Sequence, residues 1–409
     1  MKSKYRILDL LMCLSLIACV LTNFGEYSIF NFTLIITVII TLLFNIKEMH
    51  EINRKLFVII LAILTIFVLS VIQQNSSDLF KFIVWIFEGI IGYYFIKRKL
   101  LAREHDYKSS LACVFLFVLF LSSIEGTIQF FSGEITFVNY LNYWGDGLHQ
   151  GTVSIFLQHI VWGHVLVLGF VVNEFFNKGN IKNVLRVLFL ANLYWSQARS
   201  AWLTLVIFLA LNFLYKLKKQ NYKIKLTKLR VLNFIIVLCL LTCFILFMPS
   251  LNQRVYSLID SIFSHFFYLF KGEANYRLRA IQALLFDRLE NINLVHWLFG
   301  SGYGSTSVAL AKNGISLSGF RYVVDNQIIS LGYDFGLIAF VFIFYLFFDS
   351  LKEFVTSENK LSRIISSLFI CNFIMSLVYE SFGYQVTALI FFFLIGAKLS
   401  LITNRKMLK

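Results

Sequence analysis

The chain is dominated by apolar stretches, each close to the length needed to cross a lipid bilayer. A helix that crosses the hydrocarbon core needs about 20 predominantly apolar residues. Lipid cannot satisfy backbone polar groups, so such stretches are read as helices. About twelve qualify, near residues 6–22, 27–46, 56–73, 80–96, 110–131, 153–175, 183–196, 201–215, 231–249, 328–349, 361–378 and 384–401. The sequence therefore predicts an all-α polytopic membrane protein, with residues 1–409 forming a single integral membrane domain.

Composition excludes the soluble classes and fits a chain whose environment is the lipid bilayer. Hydrophobic residues make up 58% of the sequence and charged residues only 14%, against about 25% charged residues in ordinary globular chains. The six cysteines all lie inside apolar stretches. This placement argues against a disulfide framework and against a cysteine metal cluster.

The placement of Lys and Arg predicts how the helices are oriented. Cytoplasmic loops of membrane proteins carry an excess of these residues. With the N-terminus inside, 28 of the 37 Lys and Arg residues fall on the inner side and nine on the outer side. We therefore expect both termini to be cytoplasmic. The net charge of +15 is then attributed to anchoring at the anionic inner leaflet, and not to nucleic-acid binding.

One long segment, residues 251–325, interrupts the apolar series between the ninth and tenth spans, on the predicted outer side. Apolar residues at helical spacing from Val255 to Phe270 predict an amphipathic helix at the membrane interface. A second helix is predicted from Asn275 to Leu289, where Arg277 and Arg288, about three turns apart, share one face. These basic residues are either solvated side chains or a site for an anion.

Two polar segments near the end of this loop are candidates for a site. Three alternate glycines, in Gly300-Ser301-Gly302-Tyr303-Gly304, allow either a simple loop hinge or close backbone approach to a ligand. Asp325, Asn326 and Gln327 then open the tenth span, where they can cap the helix, bind sugar hydroxyls or accept a proton. Glu380, near the outer end of the eleventh span, can complete such a site.

Arg199 is an ionisable residue between two apolar segments, the seventh and eighth spans. These spans are short, and together they can instead form a broken or re-entrant hairpin. A guanidinium suits bidentate phosphate binding, whereas the alternative is an interfacial Arg that extends to the headgroups. His159 and His164 are five residues apart, and therefore on different helix faces, with no evident third ligand. We accordingly predict no metal site.

Four of these segments, in this order, resemble motifs of the Wzy/WaaL superfamily of bacterial O-antigen polymerases and ligases. The family has an Arg-containing motif at the start of a span, then a large outer loop that begins with an Arg-containing helix. A Gly-x-Gly segment and a polar pair before a Gly-containing helix follow. The corresponding segments here are Gln197-Ala198-Arg199-Ser200-Ala201-Trp202-Leu203, Asn275-Tyr276-Arg277-Leu278-Arg279, Gly300-Ser301-Gly302-Tyr303-Gly304, and Asp325-Asn326 with Gly336-Leu337-Ile338.

The resemblance implies a metal-independent, cofactor-free glycosyltransferase in the bacterial cytoplasmic membrane, with its active site on the extracytoplasmic face. Its substrate would be an oligosaccharide linked to undecaprenyl pyrophosphate, and a chain-length regulator and a flippase would be further partners. The implied catalytic residues are Arg199, Arg277 and Asp325, with Glu380 as the alternative base. The implied substrate-binding residues are Arg279, Arg288, Arg321, Asn326, Gly302, Gly304 and His159.

Polymerase and ligase remain alternatives within this resemblance. Ligases of the family usually carry His-Asn where this chain has Asp325-Asn326, which favours a polymerase of O-antigen or capsule type. A flippase or transporter of lipid-linked sugars is the alternative from another class. Transporters commonly have internal repeats and helices broken near the bilayer midplane, whereas the two halves of this sequence show no repeat and its charged loop is predicted outside, not at mid-depth.

Overall fold

A computed structural model describes residues 10–18, 33–41, 43, 76–101, 110–132, 152–156, 158–219, 276–290, 293–316, 324–379 and 384–405. Within these ranges the chain is helical and forms no strand. Residues 10–18 and 33–41 are helical pieces of the first two predicted spans. The helices that follow are α1 Ser76–Leu101, α2 Ser110–Ser132, α3 His159–Phe176, α4 Gly179–Ser196, α5 Arg199–Lys219, α6 Tyr276–Glu290, α7 Leu294–Phe299, α8 Ser305–Lys312, α9 Gln327–Thr356, α10 Lys360–Val378 and α11 Gln385–Thr403.

Five of these helices, α2, α3, α9, α10 and α11, are long and apolar enough to cross a membrane. This fits a helical membrane protein, and the all-α prediction is confirmed for the described ranges. The twelve-span topology stays a prediction. The third and ninth predicted spans and the amphipathic helix at 255–270 lie outside the described residues.

Most predicted boundaries lie close to those of the helices, and the largest differences are at the start of the sixth span and the end of the tenth. The sixth span was expected to begin at residue 153, but residues 154–156 form a short 3-10 turn and the helix begins at His159. The seventh and eighth spans are two helices, α4 and α5, joined at Gln197, whose φ of 54° lies in the left-handed region. The loop helix expected over 275–289 is confirmed as α6.

The centre of the bundle is formed by α3 and α10. In the most apolar stretch of each of these helices 72% of residues are buried, against 33% in α2. Trp162 on α3 and Phe369 on α10 are fully enclosed, whereas Phe117 and Phe131 on α2 are exposed. An apolar helix with this much exposed apolar surface requires an apolar solvent, so α2 is read as a lipid-facing helix.

Glycines bring α1 and α11 into backbone contact. A Cβ at Gly92 would stand 2.1 Å from the carbonyl oxygen of Phe393, and a Cβ at Gly396 would stand 1.8 Å from that of Gly89. Any side chain would therefore push the two helices apart. Small residues at such contacts are the usual basis of close helix packing in membranes, where no hydrophobic force drives helices together.

A backbone break at Gly336 divides α9 into two parts. Gly336 has φ 76° and ψ −176° inside the helix. A Cβ at this position would stand 2.4 Å from the amide nitrogen of Gly300 and from the carbonyl oxygen of Leu298. The kink is therefore where the short helix α7 and the following glycine segment pack against α9, and only glycine meets both the conformation and the space.

A buried ionic network joins the C-terminal parts of α9 and α11, and we call it the Lys398 network. Lys398 is fully buried, lies 3.0 Å from a carboxylate oxygen of Asp349 and donates a close hydrogen bond to Glu353. Arg405 donates to the other oxygen of Asp349 at 2.6 Å. Two cations thus meet two carboxylates, which offsets the cost of removing these charges from water.

Candidate functional site

Two residues expected from separate motifs meet at the N-terminal end of α9. The Nε of Arg277, in the first turn of α6, donates to Oδ2 of Asp325 at 2.8 Å, and its Nη2 donates a second, closer hydrogen bond to the same oxygen. The two residues are 48 positions apart in the chain. The Arg277 side chain is 44% exposed and that of Asp325 is 16% exposed. The structure therefore holds a cation and a carboxylate together where a ligand can reach them.

Asp325 occupies an uncommon backbone conformation. Its φ of 60° lies in the left-handed region, which Asp tolerates better than most residues other than glycine. The next residue, Asn326, caps α9 by accepting a hydrogen bond from the amide of Ile329 at 3.1 Å. Its amide group also donates to the carbonyl oxygen of Leu377 at 2.8 Å, which ties α9 to the end of α10. Asn326 thereby fixes the turn that presents Asp325.

Tyr379 connects this end of α10 to the start of α3. Its hydroxyl donates a close hydrogen bond to the side-chain oxygen of Gln158, and its ring lies edge-on to His164 at 5.9 Å between centroids. Burial raises the pKa of Tyr379, the neighbouring Tyr384 raises it further, and the charge of Asp325 adds a smaller shift in the same direction. Tyr379 is therefore a neutral hydroxyl beside the carboxylate, and sequence reasoning missed it because nothing distinguishes it among 19 tyrosines.

Arg199 begins α5 at this same end of the bundle. The adjacent Ser200 is 3.0 Å from Nε2 of the buried His164 on α3. Gly163, the residue before His164, approaches the α4–α5 turn so closely that a Cβ would stand 2.4 Å from the Cβ of Ala198. The turn that carries Arg199 is thus held against α3, while the Arg199 side chain itself is exposed. His159, the first residue of α3, is half-buried.

The glycine segment wraps around a carboxylate that the sequence analysis did not select. Asp334 on α9 is 5% exposed. It accepts hydrogen bonds from the amides of Gly304 at 3.0 Å and Thr306 at 2.8 Å, and from the hydroxyls of Ser305 and Thr306. The amide of Gly302 donates to the backbone oxygen of Asp334 at 2.9 Å. Asp334 thus caps the N-terminus of α8.

Arg288 has an internal environment. It is 7% exposed, and its guanidinium lies 4.3 Å from the ring centroid of Tyr333 and donates to the carbonyl oxygen of that residue. The hydroxyl of Tyr333 donates in turn to Asp287. Burial lowers the pKa of Arg288, while Tyr333 and the carboxylates of Asp287 and Asp334 oppose that shift. Arg288 therefore fastens α6 to α9.

The predicted arginines of α6 differ in their surroundings although they belong to one helix. Arg277 and Arg279 are exposed, whereas Arg288 is buried. Arg321 and Glu380 lie outside the described residues. In the ranges that the structure describes, no group of three or more His, Cys, Asp or Glu side chains could hold a metal ion.

The chain matches no family model, and no curated protein is significantly similar to it.

Proposed function

We propose that the protein is a polysaccharide polymerase, which joins repeat units carried on undecaprenyl pyrophosphate at the outer face of the bacterial cytoplasmic membrane. The observation that carries this proposal is the exposed contact between Arg277 and Asp325. A transfer from a pyrophosphate donor to a hydroxyl acceptor needs a cation for the leaving group and a base for the hydroxyl. One contact supplies both groups, and the order of the surrounding motifs agrees with that reaction.

In the proposed step, a hydroxyl oxygen of the incoming repeat unit attacks the anomeric carbon of the growing chain. The bond from that carbon to the pyrophosphate oxygen breaks, and undecaprenyl pyrophosphate leaves with the bonding electrons. Asp325 accepts the hydroxyl proton, and Glu380 remains the alternative base. Arg277 and Arg199 stabilise the charge that develops on the leaving group, an effect of about 3–4 kcal/mol for each well-placed donor.

The ion pair also indicates how substrate binding prepares the base. Without substrate, Arg277 directs two hydrogen bonds to one oxygen of Asp325. Pyrophosphate oxygens compete for the same guanidinium donors, since a guanidinium binds phosphate in the same bidentate way as carboxylate. Binding of the donor thus draws Arg277 away and exposes the Asp325 oxygen to the acceptor hydroxyl.

The other predicted residues divide into two roles under this proposal. Arg279 is exposed near Arg277 and remains a candidate contact for the anionic substrate, together with His159 and Arg321. Asn326, Gly302, Gly304 and Arg288 have partners within the protein, which supports roles in shaping the site around the substrate.

The decisive experiment compares single and swapped variants in a deletion strain, with surface polysaccharide analysed on a gel. Arg277→Ala and Asp325→Asn are expected to collapse the ladder to a single repeat unit, while Lys312→Ala, an exposed lysine of the same loop, leaves it intact. The double variant Arg277→Asp with Asp325→Arg preserves an ion pair with its charges reversed. If the swap restores full-length polymer, the pair is only structural and the proposed chemistry is wrong.

The same gel distinguishes the alternatives. Full-length polymer stranded on the carrier lipid would indicate a ligase, and an unchanged ladder in both single variants would favour a transporter. The proposed orientation, with both termini cytoplasmic, is tested separately by Lys312→Cys. A membrane-impermeant maleimide should label this variant in intact spheroplasts, and labelling only after lysis would contradict an outer site.

A further inference from the structure

An apolar cavity of about 160 Å³ lies among α1, α2, α3, α10 and α11 and the helical residues 10–18 and 33–41. Phe95, Leu168, Ile365 and Phe393 are typical of its walls. Among the described residues that line it, two have polar side chains, Ser15 and Lys99. The cavity is therefore suited to a hydrocarbon, with a cation at one place on its wall.

The cavity lies in the half of the bundle opposite the Arg277–Asp325 pair. His159 and His164 lie in the part of α3 at the same end of the bundle as the pair. Leu168 and Phe176, which line the cavity, lie further along the helix. On α10, the cavity is lined by residues of the first half, and Leu377 near the end of the helix meets Asn326. The cavity is thus separate from the site proposed for glycosyl transfer.

The size of the cavity matches a length of hydrocarbon chain. In soluble proteins an apolar cavity of about 150 Å³ stays dry and binds benzene, a molecule of six carbons. A cavity of about 160 Å³ therefore accommodates a stretch of an acyl chain of similar carbon number. In a bilayer, lipid acyl chains are the most abundant apolar molecules available to fill it.

The cation identifies the class of lipid. Lys99 is in the last turn of α1, directly after Lys97 and Arg98, and its ammonium lies 5.6 Å from the ring centroid of Phe95 on the cavity side. Basic pockets between membrane helices on the cytoplasmic side characteristically bind anionic headgroups. A lysine beside an apolar cavity thus favours an anionic lipid, whose phosphate is not neutralised by a cation in the same headgroup.

We propose that this cavity is a binding site for an anionic phospholipid such as phosphatidylglycerol, with an acyl chain between α1, α3 and α10 and the headgroup phosphate at Lys99. The lipid belongs to the leaflet opposite the Arg277–Asp325 pair. The site does not depend on the proposed polymerase activity.

The test measures binding of phosphatidylglycerol and phosphatidylcholine to the delipidated full-length protein, by native mass spectrometry and by thermal unfolding. We expect the wild type to retain and be stabilised by phosphatidylglycerol more than by phosphatidylcholine. Lys99→Gln should bind phosphatidylglycerol about fivefold more weakly, and Lys99→Arg should restore binding. Lys81→Gln, at the other end of the same helix, is the matched control and should bind like the wild type.

A second variant tests the chain position. Ile365→Phe fills the cavity from α10 and should reduce phosphatidylglycerol retention without abolishing the preference for it over phosphatidylcholine. Equal binding of the two lipids, or unchanged binding in both Lys99→Gln and Ile365→Phe, would overturn the proposal. Preferential binding of a polyprenyl phosphate over phosphatidylglycerol would also overturn it, since the occupant would then be the carrier lipid.

Discussion

Ion pairs form at both ends of α9, and they differ in solvent exposure and in the number of charged groups. At the N-terminal end, Arg277 and Asp325 form a single pair with the Arg side chain 44% exposed. At the C-terminal end, the Lys398 network contains two cations and two carboxylates around a lysine with no exposure. The first arrangement leaves both partners accessible to a ligand, whereas the second uses its charges within the protein.

The contrast indicates which charges in a membrane protein are candidates for chemistry. A buried charge must be compensated by its neighbours, and removing one partner leaves the other uncompensated in a medium of low dielectric. An exposed pair contributes little to stability, so its presence calls for another explanation. The proposed substrate contact supplies that explanation for Arg277 and Asp325.

The largest effect is expected on activity at the exposed end. Asp325→Asn removes the proposed base and should lower the rate of polymer formation by about 10²–10⁴-fold, the usual contribution of general base catalysis. The free energy of unfolding should change by less than about 1 kcal/mol, because the pair is partly solvated. The rate is measured on purified protein with lipid-linked repeat units as donor and acceptor, and the free energy of unfolding is measured on the same protein. Glu290→Gln is the control for both. A large loss of stability with retained rate would reverse the comparison.

The buried end should respond in the opposite way. Lys398→Met leaves Asp349 and Glu353 with too little positive charge and should lower the free energy of unfolding by about 3–5 kcal/mol. The double variant Lys398→Met with Glu353→Gln removes one charge of each sign and should recover most of that loss. Unfolding in mixed detergent micelles measures both. Equal destabilisation by the single and double variants would mean that packing, not charge, is responsible.

Asp334→Ala should lower stability and activity together. It removes the acceptor for the amides of Gly304 and Thr306 at the start of α8, and buried donors without a partner cost about 1–3 kcal/mol each. The glycine segment would lose its attachment to α9, so the polymer ladder should also shorten. Asp334→Asn keeps one acceptor oxygen and should lie between wild type and Asp334→Ala. A full-length ladder in Asp334→Ala would separate the glycine segment from the site.

The smallest effect is expected at the rim of the Lys398 network. Arg405 is 43% exposed, so Arg405→Gln should lower the free energy of unfolding by only about 0–1 kcal/mol. The same unfolding assay provides the measurement. A loss as large as that of Lys398→Met would show that exposure does not distinguish the members of this network.

Apolar length predicted the helices well, and it failed where charges continue a helix. The tenth span was expected to end at residue 349, but α9 continues to Thr356. Asp349 and Glu353 carry charges that a hydropathy criterion treats as an end, whereas Lys398 from another helix compensates them. Such compensation depends on contacts between distant segments, and apolar periodicity in one segment contains no information about them.

The candidate site was predictable to a similar extent. The order of motifs indicated Arg277 and Asp325, which do meet. The capping role of Asp334 was missed, since one acid within an apolar helix does not indicate which loop will donate to it. The different surroundings of Arg277 and Arg288 were also not predictable, because a common helix face does not imply common exposure when another helix covers one end.

The break at Gly336 has a consequence for the depth at which chemistry would occur. Residues 337–356 form the longer part of α9, and at about 1.5 Å per residue they extend roughly 30 Å, the thickness of the hydrocarbon core. If residues 337–356 are the part that crosses the core, the part from Gln327 to the break would lie at the level of the lipid headgroups. A hydrophilic glycan could thus react in the aqueous interfacial layer while its carrier remained dissolved in lipid.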